Sequence, residues 1–404
     1  MSRATLASHT RAAEPGRPPR LIFIACPWTP VGGGMYKIAD YLIQSQDPGA
    51  STGGHRARLA PLDTRGGRHP ALGLPVLGSA IARVAWARAR GQLAGVHVNM
   101  AERMSLVRKG VLIAACRLMD VPVVLHLHAA QLHRLWPRLP ALAQSMVRWV
   151  FSLPACCIVL GQASARFVTS ELGVPRARVV VVINGVPDAT ARGSTAPECG
   201  EAAADGTLRL LFVGNLSQRK GVPELLQALS LQPLSQMKVH LTLAGGGDID
   251  HYQQEARRLG VAARVRFAGW TEQAGVGALL AHSDVLVLPS HDEGLPLAIL
   301  EALAHGVAVV CTPVGEIPDV LTDGLDAVFV PPRQPQALSQ AIADLGRDRQ
   351  RRTAIAKAGL ALHQQRLNLP AFLEAIAAVH RRHFGAAAAW RAHGAAEPGT
   401  QGRP

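Results

Sequence analysis

Lysine is scarce in this chain. Lys37, Lys109, Lys220, Lys238 and Lys357 are the full set, and arginine supplies the rest of the positive charge. Aromatic residues make up 4% of 404, too few for the base-stacking surface of a single-strand nucleic-acid binder. No run of 18 uncharged apolar residues occurs, and WVFSLPACCIVL, 12 residues long, is broken by Pro154, so no segment is expected to span a membrane. The start, MSRATLASHTRAAEPGRPPR, lacks an apolar h-region, so residues 1–19 are expected to be a disordered arm rather than a signal peptide. Six cysteines form no Cys-x-x-Cys pair or disulfide-like spacing. Cys26, Cys156, Cys157 and Cys311 sit in apolar strand-like runs, as small hydrophobes do. Free thiols in a reducing cytosol and no structural metal are the expectation.

What is present suits two globular domains. The chain is 48% hydrophobic and 17% charged, and its length exceeds one average domain. The net charge of +14 is lopsided: residues 1–190 hold 22 Lys+Arg against 8 Asp+Glu, while residues 191–404 hold 20 of each. An excess confined to one half points to an anionic partner there, a phospholipid surface or a nucleic acid, or to a solvated basic face.

Short β-branched runs alternate with helical patterns. LIFIAC, GVHVNM, VPVVLHLH, CCIVL and VVVVI read as strands of a first series, and LRLLFVG, KVHLTLAG, RVRFAG, DVLVLP, VAVVCT and AVFVPP as a second. That pattern predicts an α/β fold of two doubly wound, parallel, Rossmann-like domains facing across a cleft. The expected divisions are 20–183 for the first domain, a linker over 184–207, 208–370 for the second, a C-terminal helix over 371–385 packing back on the first, and a disordered tail over 386–404.

Four stretches carry chemistry. In HDEGLPLAILEALAHG (291–306), Gly294 lets the backbone approach a ligand and Pro296 fits a first helical turn. Free N–H groups near 294–298 would then form an anion cradle. Glu301 falls about five residues into that helix among apolar neighbours. Acids near a helix start favour its dipole, which explains Glu293 in part but not Glu301. Arg219 and Lys220 in LLFVGNLSQRKGVPELLQAL follow a strand and precede a helix, where two cations can neutralise a diphosphate. VGGGM (31–35) could hold a phosphate or be a tight turn, and is not the GxGxxG of a dinucleotide fold. His126 and His128 end a strand, one expected on each side, with one facing the cleft. Asp248 and Asp250 in DID read as helix caps rather than a metal motif. Segments 76–93 and 103–119 are basic and amphipathic, the latter carrying Arg103, Arg108, Lys109 and Arg117; they fit an anionic bilayer or an ordinary surface.

Together these residues resemble retaining glycosyltransferase family 4 (glycosyl transferases group 1), of GT-B fold and bacterial polysaccharide-assembly type. The resemblance is strongest from FVGNLSQRKGVPELLQAL through LPSHDEGLPLAILEALAHGVAVVCTPVGEIPDVL, and extends to VGGG, PVVLHLHAA and VINGVPD. It implies a metal-independent, retaining hexosyltransferase with no cofactor beyond its nucleotide-sugar donor, GDP-mannose or a UDP-hexose. In that reading Arg219 and Lys220 bind the donor diphosphate, and Gly294, Leu295, Pro296 and Leu297 hold sugar and phosphates. Glu293 contacts the transferred sugar, Glu301 the ribose, Gly33 and Gly34 approach the donor from the first domain, and His128 is the cleft-facing histidine. The chain departs from the family pattern at Asn215, where arginine is common, and at Pro187 in NGVPD. HVNMAERMSLVRKG with PVVLHLHAA further implies a cytoplasmic protein, peripheral at the inner face of the membrane. Its acceptor would be a polyprenyl-diphosphate-linked saccharide in exopolysaccharide, capsule or O-antigen assembly, with no nucleic-acid partner.

Two competing readings remain on the residues. One is a GT-B sugar phosphorylase or nucleotide-sugar epimerase; a phosphorylase would need a lysine for a pyridoxal cofactor, and Lys220 is already assigned. The other is a non-catalytic basic binding protein. Salt-sensitive nucleic-acid binding without transfer would favour it.

Overall fold

Alternation of apolar runs with amphipathic stretches leaves few options, because a strand buried on both faces must be joined to its parallel neighbour by a covering helix. The computed structural model describes residues 19–28, 33–47, 56–66, 73–189 and 206–391. Most of the expected N-terminal arm, Val31 and Gly32 of VGGG, and linker residues 190–205 lie outside those residues.

The first domain runs β1 (Arg20–Cys26), α1 (Gly34–Gln44), β2 (Ala57–Asp63), α2 (Gly73–Ala89), β3 (Leu93–Met100), α3 (Met104–Leu118), β4 (Val123–Leu127), α4 (Leu132–Leu135), α5 (Ala141–Ser152), β5 (Cys156–Val159), α6 (Gln162–Ser170) and β6 (Val179–Val181). The second runs β7 (Leu208–Val213), α7 (Val222–Ser230), β8 (Val239–Ala244), α8 (Ile249–Arg258), β9 (Val265–Gly269), α9 (Gln273–Ala281), β10 (Val285–Leu288), α10 (Leu297–Ala304), β11 (Ala308–Cys311), α11 (Ile317–Val320), β12 (Val328–Phe329), α12 (Pro335–Arg347) and α13 (Arg349–Leu362). α14 (Leu369–Phe384) closes the fold. Each domain holds a six-stranded sheet, ordered β2-β1-β3-β4-β5-β6 and β12-β11-β10-β7-β8-β9, with every pairing parallel. The central strands β3, β4, β10 and β11 are buried along their whole length. This is the two-domain, Rossmann-like plan that the pattern predicts, and the GT-B fold that the resemblance implies.

β2 was not among the expected strands. Its sequence ARLAPLD lacks β-branched residues and carries Pro61, which a sheet tolerates only at an edge. The start of that edge is met by chain from an unexpected direction. The chain beyond Gly385, expected as a disordered tail, pairs with the first domain as far as Arg391. Ala57 N–H donates to Ala387 O at 2.9 Å, Asp47 N–H to Ala389 O at 2.8 Å and Arg391 N–H to Ser45 O at 2.9 Å.

α14 starts two residues before the expected helix, where the Asn368 side chain accepts from Ala371 N–H at 2.9 Å. It lies on the first domain's sheet. Gly95 of β3 makes that contact possible, since a Cβ there would fall 2.3 Å from the Phe384 ring. The two passages of chain between domains also pair: Val186 N–H donates to Leu367 O at 3.0 Å, and Leu369 N–H to Val186 O at 2.8 Å. One apolar core runs from the α1/α14 side of the first sheet into the second domain, and a separate core lies under α2, α3, α5 and α6.

Candidate active site

The second domain builds its site from two loops at the carboxyl ends of β7 and β10. Arg219 and Lys220 sit in a short turn after β7 that ends at Gly221, whose φ is +72°. A Cβ at Gly221 would come within 2.0 Å of Pro289 O, so no side chain fits between the loops. Two hydrogen bonds stitch them together: His291 N–H donates to Arg219 O at 2.8 Å, and Arg219 Nη1 to Asp292 O at 2.7 Å. The result places Glu293, 6% exposed, against both cations. Lys220 Nζ donates to its Oε1 at 2.5 Å, Ser290 Oγ to the same oxygen at 2.7 Å, and Arg219 Nη1 lies 3.6 Å from Oε2. Gly315, φ +62°, passes directly beneath, with Glu293 O 2.0 Å from where a Cβ would be.

Gly294, Leu295 and Pro296 lead into α10. Pro296 caps the helix in an extended conformation, φ −70° and ψ 126°, rather than occupying its first turn as expected; the first helical residue is Leu297. The N–H groups of Leu297 and Ala298 precede the first bond of that turn, Ile299 N–H to Pro296 O at 3.2 Å, so an anion at this end would meet donors and the positive end of the dipole. Glu301, the fifth residue, is buried, and its carboxylate pairs with Lys37 of α1. Lys37 did not figure among the sequence candidates, although its place one turn into the helix that follows VGGG was a usable signal. Gly34 faces Leu297 across the cleft, with a Cβ position 3.5 Å from Leu297 Cδ1, whereas Gly33 has nothing within 4 Å. A cavity of about 270 Å³ opens beside Glu301, bounded also by Tyr41, Asp188, Gln273 and His305.

On the first domain, His126 and His128 lie on the same face, not on opposite ones as expected. Positions i and i+2 of a strand always share a face, and here the two ring centroids lie 4.1 Å apart with the planes tilted by 36°. His128 Nε2 is 2.9 Å from Asn99 Oδ1. Burial and the nearby His97 push its pKa down to about 3, so it is neutral at physiological pH. Arg134 reaches from α4 to the second domain, donating to His291 O at 3.0 Å and lying 3.3 Å from Asp292 Oδ2. Below it, Glu316 and Asp319 cap the N-terminus of α6. Ser164 N–H donates to Glu316 Oε1 at 2.8 Å and Gln162 N–H to Asp319 Oδ2 at 2.7 Å. Burial raises the Glu316 pKa, offset in part by the Ser164 hydroxyl. These contacts come from segments after β1, β4, β5, β10 and β11, so the carboxyl edges of the two sheets face each other. A cavity of about 380 Å³ remains between them, lined by His133, Arg134, Arg166, Glu293, Gly294 and Glu316 among others.

Arg134, Asn99, Glu316 and Asp319 were missed because nothing in their local sequence marks them; only the closure of one domain on the other brings them to the site. Two further expectations resolve differently. Asp248 accepts from His251 N–H at 3.2 Å as a helix cap, as read. Lys109, placed on a basic surface segment, is fully buried and donates to Thr64 Oγ1 at 2.6 Å. Burial lowers its pKa to about 7.

Two facing sheets with a stitched cationic loop pair and a helix start at the cleft define a GT-B protein. The chain matches two family descriptions, Glycosyltransferase Family 4 over residues 54–190 and Glycosyl transferases group 1 over residues 200–361. It belongs to this group 1/family 4 class of glycosyltransferases. Among its relatives, glycogen synthase of Mycobacterium tuberculosis is 30% identical over 239 residues, covering 57% of this chain and 56% of that protein. Phosphatidyl-myo-inositol mannosyltransferase of the same species is 34% identical over 137 residues, 33% of this chain and 36% of that one. The matches thus span from about a third to just over half the length of these relatives. HepE of Anabaena, solved in complex with UDP and glucose, superposes with a TM-score of 0.68 at 18% identity, covering 89% of this chain and 98% of its own.

Proposed function

We propose that the protein transfers a hexose from a nucleotide-diphosphate sugar, GDP-mannose or a UDP-hexose, to a lipid-linked or saccharide acceptor with retention of anomeric configuration. The observation that carries this reading is the convergence of Arg219, Lys220 and Glu293 at the start of α10, with Glu301 one turn further along and Gly34 opposite. The donor diphosphate would displace Glu293 from the two cations and meet the N–H groups at 294–298. Charge developing on the leaving diphosphate is then stabilised without a metal ion, by groups already aimed at it. Glu293, released beside the reacting sugar, would face an oxocarbenium-like centre. Glu301, parting from Lys37, would accept from the ribose hydroxyls in the 270 Å³ cavity, and His128 would meet the sugar as a neutral ring. The 380 Å³ cavity beside Glu293 is the space for the acceptor. The relatives named as glycosyltransferases and a structural neighbour holding UDP and glucose support this assignment.

Thermal shift against a panel of nucleotide sugars tests the donor. A donor at a hundred times its Kd adds about 2.7 kcal/mol of stability, a rise in Tm of several degrees. No shift with any member of the panel, at millimolar ligand, would end the reading.

The acceptor we propose is a polyprenyl-diphosphate-linked saccharide of exopolysaccharide, capsule or O-antigen assembly, reached from the inner face of the cytoplasmic membrane. No helix among the described residues is long and apolar enough to cross a bilayer. Instead α2, α3 and α5 lie side by side on the first domain, with no acidic residue in any of them. They expose Trp86, Met104, Val107, Leu118, Leu142 and Trp149, with Leu118 at 89%. Apolar side chains set among arginines fit an anionic bilayer, where burial and surface potential add. Co-sedimentation should be stronger with anionic than neutral vesicles and should fall in Leu118→Glu/Trp149→Glu. Equal pelleting with both vesicle types would remove the membrane from the account.

A further inference from the structure

The first turn of α6 is capped by the other domain. Its own N-cap residue is Gly161, which has no side chain to offer the free N–H groups of that turn. Glu316 and Asp319 of the second domain supply the acceptors instead. Besides the Ser164 and Gln162 bonds given above, Ala163 N–H lies 3.2 Å from both Glu316 Oε2 and Asp319 Oδ2. The Ser164 hydroxyl donates to Glu316 Oε1 as well. Glycine at 161 is what admits the carboxylate, since a Cβ there would fall 2.1 Å from Glu316 Oε2.

Glu316 also holds the loop before α10, through its main chain. Its N–H donates to Gly294 O at 3.1 Å, and Gly315 packs against the carbonyls of Glu293 and Gly294. In a trans peptide the C=O and N–H lie in one plane and point in opposite directions. Fixing Gly294 O therefore aims Leu295 N–H away from Glu316. Leu295 is buried, and its N–H has no hydrogen-bond partner among the described residues. Such orphaned donors are rare in folded proteins and call for an ion, a water or a ligand atom. One buried side chain and one peptide plane thus connect α6 of the first domain to an N–H of the anion cradle.

We propose that Glu316 is a positioning residue, which uses the docking of α6 to aim Leu295 N–H at the nucleotide-sugar. Its carboxylate engages the first domain and its amide orients the Gly294–Leu295 peptide, a role that needs no contact with the nucleotide-sugar. The cradle takes its working shape only with the first domain seated on it. The inference rests on the proposed sugar transfer for its catalytic consequence; the coupling of α6 to Gly294 does not depend on it.

Gly161→Ala tests the coupling from the far side, because it alters the first domain alone and expels the Glu316 carboxylate. Hydrogen exchange of the full chain should show the Glu316 amide exchanging about tenfold faster than in the parent. Unchanged exchange there would overturn the proposal whether or not the protein transfers a sugar. If Gly161→Ala fails to fold, Asp319→Ala removes the exposed part of the same cap and should give a smaller rise; no rise would overturn the proposal equally. Where transfer is measured, Glu316→Ala should lower kcat about tenfold with the Kd of the nucleoside diphosphate within about twofold, since an N–H aimed at developing charge acts most in the transition state. Glu316→Gln, which keeps one oxygen for Ser164, should recover part of the loss. Gly161→Ala/Glu316→Ala should be no slower than Glu316→Ala, because the carboxylate that the methyl group displaces is already gone. Additive losses in the double variant, or a fall in Tm with kcat unchanged, would reduce Glu316 to a helix cap.

Discussion

The two domains share one sheet plan and contribute to the cleft in opposite ways. The second concentrates its part in two contiguous loops and one helix start, tied together by backbone bonds over a few residues each. The first sends single side chains from several elements: Gly34 and Lys37 from α1, His128 from the end of β4, Arg134 from α4. An anion cradle has to be contiguous, because it is made of successive N–H groups and the residues that shape them. The facing wall only has to arrive at the right place. The difference in construction implies a difference in consequence, with the largest losses expected in the second domain.

Lys220→Ala should break the site most. It removes one of the two cations meant for the leaving diphosphate and leaves Glu293 with Arg219 at 3.6 Å as its remaining cation. A fall in kcat of about 10²–10³ is expected, the range for losing one preorganised stabiliser of developing charge. Steady-state kinetics should show it with Tm within a few degrees of the parent. If Lys37→Ala, in the first domain, cost as much in kcat, the contrast between the two walls would collapse.

The next effect tests the seam between them. Glu301→Ala should raise the donor Kd about tenfold, ~1.4 kcal/mol, while kcat changes little. Lys37→Ala should cost less in affinity but more in stability, since it leaves the buried Glu301 carboxylate without its cation. The double variant should then be more stable than the sum of the singles predicts, because removing both partners leaves no uncompensated charge. Additive stability changes would mean that the pair contributes nothing as a unit.

The same contrast explains what could be read from the chain. Strand–helix alternation was enough for two parallel sheets, because buried parallel strands must be nearly continuous apolar runs. β2 escaped because an edge strand with Pro61 needs no such run. The site residues of the second domain were legible since Arg219, Lys220 and residues 293–301 keep their spacing in three dimensions. Lys37, Arg134 and Asn99 were not, as each depends on a partner tens to hundreds of residues away. Lys109 was misplaced for a related reason: three other basic residues in its segment made a surface face plausible, and only packing shows that it points inward at Thr64.

Lys109 gives the smallest and most diagnostic test, because among the described residues of the basic half it is the fully buried cation. Its pKa falls from 10.5 to about 7 on burial. Between those values the unfolded chain binds a proton that the folded chain does not, so the group's contribution to stability rises with pH across that window. Below pH 7 both states carry the proton and the full cost of a buried ammonium applies. Lys109→Met removes the cost and the slope together, while stranding the Thr64 hydroxyl, a loss of about 1 kcal/mol. At pH 6.5 the variant should therefore melt at or above the parent temperature, and by pH 9 the order should narrow or reverse. A parallel pair of Tm–pH curves would show that Lys109 keeps its charge inside the fold, most simply through the nearby Asp63 carboxylate. Lys109 would then be a buried cation, distinct from the arginines proposed to face the membrane.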